Sequence, residues 1–151
     1  MERSVRLRLA LAAPVLAALY FYLLIFVISW TSARYWPSWW IAMFPTRHIA
    51  AVTWMIGLHT IAVFAAAIPI SVAAVFIVRE QAAMLGAIVG VIATTLAVLP
   101  SLSRNIWPLV WNNHPIYFVT DQIKFLVAVP IAAWIIRRLF SSDGSPTTAF
   151  R

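Results

Sequence analysis

His48, His59 and His114 are the side chains in this 151-residue chain best suited to hold a metal or a haem, and the absence of cysteine removes every thiolate alternative. His48 and His59 lie eleven residues apart, so a helix through both would bring their rings to nearly the same face. His114, in "WNNHP", belongs to a different segment. Axial haem ligation needs two such ligands on facing helices. His59 has no histidine counterpart in the other apolar runs, and Met55 and Met84 are not evidently at its depth. A zinc site would need acids beside the histidines, and these are too few. The expectation is therefore that His59 makes an interhelical hydrogen bond and that no cofactor is required. A haem- or quinone-binding redox role for His59, His48 and His114 is the third of three readings.

The acids are equally sparse. Glu80 falls in a short polar break, and Asp121 reads as the N-cap of the last apolar run. Lys124 stands near enough to a helix end to snorkel. With no acid or base expected at mid-span, neither a proton-coupled transporter nor a membrane hydrolase is indicated.

The elements carrying these residues follow from composition. The chain is 64% apolar and 10% charged, where a soluble domain has about a quarter of its residues charged. That is too little polar surface to cover a water-soluble globule. The formal charge of +7 is scattered at the ends of apolar runs, which reads as membrane topology and not as a nucleic-acid surface.

About 20 apolar residues cross a bilayer core. Four runs meet this length: 9–30, 48–78, 82–102 and 123–140, followed by a polar cytoplasmic tail at 141–151. The fold class expected is all-α, an integral membrane bundle of four transmembrane helices. Spans two and three, separated by "REQ" (Arg79 to Gln81), should form a tight antiparallel hairpin, and Pro69 should kink span two. The positive-inside rule counts seven basic residues against four in favour of cytoplasmic termini, in a cell inner membrane of bacterial type. A cleaved signal peptide ending near Thr31–Ala33 is the rival reading, disfavoured because its apolar run exceeds the 7–15 residues of such a segment.

The two outer loops are rich in tryptophan. The first contains "WPSWW" (Trp36 to Trp40) and the second "WPLVW" (Trp107 to Trp111). Interfacial anchoring explains Trp36, Trp40, Trp107 and Trp111 most simply. Their shared W-P-x-x-W also suggests two repeated helical hairpins about an axis along the membrane normal, with the loops forming a cap or groove. In span three, Ala82, Gly86, Gly90 and Thr94 repeat every four residues and make one smooth face. Such a face suits close packing inside the bundle, or against another subunit.

Strong packing signals without a catalytic constellation lead to a non-enzymatic protein. The first expectation is an accessory or assembly subunit that docks a membrane partner. The second is a small, dimeric transporter or binder of a lipid or other hydrophobic molecule. Expected partners are membrane lipid and another membrane protein or a second copy, with no nucleic acid.

Overall fold

The computed structural model describes residues 3–34, 48–102 and 115–142, and these are almost entirely helical. The helices are α1 (Arg3–Arg34), α2 (His48–Ile77), α3 (Ala82–Ser101) and α4 (Pro115–Ser142). Between α2 and α3, Val78 leaves helical geometry and Arg79–Gln81 make a single 3₁₀ turn. The fold is an all-α, up-down-up-down bundle. Three stretches, Ser4–Thr31, Ile56–Ile77 and Arg79–Pro100, are long and apolar enough to cross a membrane.

The fourth helix differs in its charges and resembles the rest in its outer surface. Ile116, Val119, Ile123, Ile131, Ile135 and Leu139 are all exposed on α4. α1 turns Leu11, Val15, Tyr22 and Phe26 outward in the same way. Large apolar side chains facing out on every helix are what an apolar solvent permits and water does not.

Inside, many of the side chains are small, among larger ones such as Tyr20, Ile70 and Leu85. Ala17, Ala67, Ala74, Ala82, Ala93, Ala128 and Ala133 are fully buried. Lipid tails are as apolar as leucine, so helix association in a membrane gains most from close backbone approach and dispersion contacts. Around the bundle the order is α1, α2, α4, α3. α2 and α3 are joined by the tight connection expected of them, yet both pack mainly against α4 and touch each other little. In this order α1 neighbours α3, and α2 neighbours α4. A twofold axis along the bundle relating the two hairpins would set each of those pairs across the axis, so the hairpins form without that symmetry.

Each helix contains one proline away from its first turn: Pro14, Pro69, Pro100 and Pro130. The consequence is clearest at Pro130, which has no N–H for the Leu126 carbonyl four residues back. That carbonyl oxygen occupies the place where a Cβ on Gly90 would stand. A Cβ on Gly86 would come within 3.0 Å of the Pro130 backbone. The small face of α3 thus fits the backbone of α4 within the bundle. Gly57 has nothing within 4 Å of its Cβ position.

Gly90→Ala should therefore lower stability by about 1–3 kcal/mol through overpacking against backbone that cannot rotate away. Gly86→Ala should lose less, and Gly57→Ala should lose nothing. Thermal unfolding of the purified variants in one detergent checks the ranking; equal midpoints for all three would refute this account of the α3–α4 contact.

Candidate functional site: a buried His–Asp–Lys cluster

α4 begins at Pro115, eight residues before the start expected from its apolar run. Asp121 is consequently not an N-cap. It lies in the second turn of the helix, buried. The i,i+3 spacing puts Asp121 and Lys124 on one face, and Lys124 Nζ meets Asp121 Oδ1 at 2.5 Å. From α2, His59 Nδ1 approaches Asp121 Oδ2 at 3.3 Å. Side-chain exposures are 6% for His59, 9% for Asp121 and 11% for Lys124. Lys124 also does not snorkel outward. Its ammonium turns into the bundle and donates to the Ile56 carbonyl at 3.2 Å, which also accepts the Thr60 hydroxyl at 2.6 Å.

The cluster's depth follows from α2. His59 stands eleven residues after His48, where α2 opens, about 16 Å along the axis at ~1.5 Å per residue. The charged groups point inward, into the bundle. A buried, inward-facing carboxylate corrects the expectation that Asp121 caps the end of a helix.

The chemistry of the pair fixes one proton. A carboxylate only accepts, so the His59 nitrogen facing Asp121 carries the hydrogen and donates it. Nδ1 therefore carries a hydrogen whether the ring is neutral or charged. Asp121 and Lys124 balance each other, leaving the cluster neutral when His59 is neutral.

Further polar contacts tie the bundle together along α4. The Ser71 hydroxyl of α2 donates to the Val129 carbonyl at 3.0 Å. Tyr20 of α1 reaches across the centre to the Phe125 carbonyl at 3.5 Å. At the opposite end, Arg79 donates to the Phe140 carbonyl in the last turn of α4 at 3.1 Å, where helix carbonyls lack partners. Arg137 returns the contact to the Glu80 carbonyl at 2.7 Å. Arg138 lies over the Trp134 ring at 4.3 Å.

Among the sequence-derived candidates, His59 is joined by Asp121 and Lys124, which histidine-centred reasoning left out. The D-x-x-K spacing was a visible signal, but its partner in α2 is 62 residues away. His48 opens α2, and its side chain lies outside what the structure describes. His114, Trp36, Trp40, Trp107 and Trp111 lie outside the described residues. Gly86 and Gly90 are buried against α4. Among the described residues no three His, Asp, Glu or Cys side chains gather as a metal site.

No protein-family model, curated protein or solved structure matches the chain. Its class therefore rests on the fold itself, a bundle whose long apolar helices fit a multi-pass membrane protein.

Removing one member of the ion pair should cost more than removing both. Asp121→Leu leaves a buried ammonium unpaired and should destabilise by about 3–5 kcal/mol. Asp121→Leu combined with Lys124→Met should recover most of that loss. Unfolding midpoints of the single and double variants test the pairing, and additive losses would contradict it.

Proposed function

We propose that the protein is a four-span membrane protein of a cell inner membrane, with both termini cytoplasmic, that works by binding. Its role on this reading is that of an accessory or assembly subunit, docking another membrane protein through its apolar outer surface. The observation that carries this reading is where the polar groups are used. His59, Asp121, Lys124, Ser71, Tyr20, Arg79 and Arg137 all make contacts that fasten α4 to its neighbours. Polar groups employed in this way make a rigid module. Its outward-facing isoleucines, leucines and phenylalanines are then left for lipid and partners.

The spans are assigned as α1 to α4. Arg6, Arg8, Arg79, Arg137 and Arg138 share one end of the bundle, which is the end that the positive-inside rule puts in the cytoplasm. Trp36, Trp40, Trp107 and Trp111 then belong to the outer face, where tryptophan suits an interface. The second reading, a binder of a lipid or other hydrophobic molecule, is favoured by an apolar crevice between α1 and α3. A redox role through His59 gains one feature from the Asp121 pairing, since metal-bound histidines commonly pass their second N–H to a carboxylate.

The test is purification at native expression in mild detergent, with mass spectrometry and an absorption spectrum taken on one sample. A membrane protein held in stoichiometric ratio through a second purification step, with no visible chromophore, is the expected result. A lone colourless species would overturn the subunit reading, and a haem band would replace it with the redox one.

A further inference from the structure

α1 and α3 lie side by side toward the end of the bundle that carries the His59 cluster. Between them opens a crevice of about 280 Å³. Phe21, Leu24 and Ser29 of α1 line it, with Leu96 and Pro100 of α3 and Phe125 of α4. Its volume lies just below the range of roughly 300–1,000 Å³ common for small-molecule sites, enough for part of one chain or a single ring. No ionisable side chain is among the residues that line it.

Two of the lining residues carry a polar group without the partner that helix geometry normally supplies. Pro100 cannot donate to the Leu96 carbonyl, which is aimed along α3 from one lining residue toward the other. The second group is the Ser29 hydroxyl. Thr31, Thr60 and Thr95 fold their hydroxyls back onto carbonyls of their own helices, the usual resort of such groups in an apolar medium. Ser29 makes no such bond and is exposed at the crevice. In a bilayer, a carbonyl and a hydroxyl left unbonded on residues that line one crevice call for a ligand that both donates and accepts.

We infer that the crevice between α1 and α3 binds an uncharged, hydroxyl-bearing membrane amphiphile of the monoacylglycerol type. Its chain lies along Phe21, Leu24 and Phe125, and its hydroxyl donates to the Leu96 carbonyl and accepts from Ser29. The absence of a charged lining residue selects a neutral head over a phosphate or a carboxylate. The inference rests on the chain lying in a membrane, and it holds whether or not the protein docks a partner subunit.

The experiment is photolabelling of the full chain in phosphatidylcholine nanodiscs, using monoacylglycerol with a diazirine in its acyl chain. Labelled peptides are then mapped by mass spectrometry. Adducts should concentrate on the crevice-lining segments of α1 and α3. Unlabelled monoacylglycerol should compete at least tenfold better than its dimethyl ether, which keeps the chain and cannot donate.

Pro100→Ala restores a backbone N–H to the Leu96 carbonyl without filling the crevice, and should remove the preference for hydroxyl over ether. Ser29→Ala should weaken labelling with the fold intact, and Ala97→Phe should block it by occupying the space. Labelling spread evenly over outward positions such as Val15, Ile61 and Phe76 would overturn the inference. So would equal competition by the ether in the unsubstituted protein, or a hydroxyl preference unchanged in Pro100→Ala.

Discussion

Pro130 cannot hydrogen-bond the Leu126 carbonyl, and in an apolar medium that oxygen has no water to turn to. The bundle resolves this by setting it against the Cα of Gly90, where any side chain would collide with it. A glycine Cα–H is a weak donor, worth about 0.5–1 kcal/mol in such contacts. The steric consequence is larger than the bond. Because α3 has hydrogen where other residues have carbon, the two backbones come close along the Gly86–Gly90 face. This contact fixes the register of α4 against α3, and the register of α4 then sets what the other helices meet.

From that register the polar ties follow. With Leu126 opposite Gly90, Phe125 offers its carbonyl to Tyr20, and Val129 offers its own to Ser71. One turn toward the start of the helix, Asp121 comes level with His59. Burying an ion pair is not in itself stabilising, since desolvation of each ion costs several kcal/mol. One feature reduces that cost here: the ammonium has a backbone carbonyl as well as the carboxylate. What the pair supplies is specificity: a one-residue slip of α4 would carry the carboxylate away from His59 and the ammonium away from the Ile56 carbonyl. The backbone fit and the ionic fit demand the same register.

The sequence announced the helices and their small-residue face, because both depend on local composition. Runs of apolar residues of membrane length and a four-residue repeat of Ala, Gly, Gly and Thr are visible without knowing what lies opposite. The start of α4 was obscured because "PIYFVTDQ" mixes apolar and polar residues, so a hydropathy window places it in a loop. Asp121 in fact faces inward, with Thr120 and Gln122 half-buried beside it. The burial of Asp121 is hidden for the same reason: a charge near a helix end ordinarily faces outward, and the partner that turns this one inward, His59, is 62 residues away. The order of helices around the bundle was also out of reach. Short connections suggest neighbours, whereas the Pro130 backbone drew α4 between α2 and α3.

This arrangement divides the bundle unequally. Polar contacts hold α4 to α2 and to the 3₁₀ turn, and its backbone is seated on α3. α1 reaches α4 through the long side chain of Tyr20 and otherwise leans on α2 and α3. The seam between α1 and α3 runs parallel and opens into the crevice where Pro100 interrupts the hydrogen bonding of α3. Prolines in a membrane helix release a carbonyl wherever they occur, and the surroundings decide the result. At Pro130 the released carbonyl is met by glycine and closes an interface. At Pro100 it belongs to a residue that lines a gap together with Ser29, which makes this seam the part of the described bundle best suited to admit a molecule from the membrane.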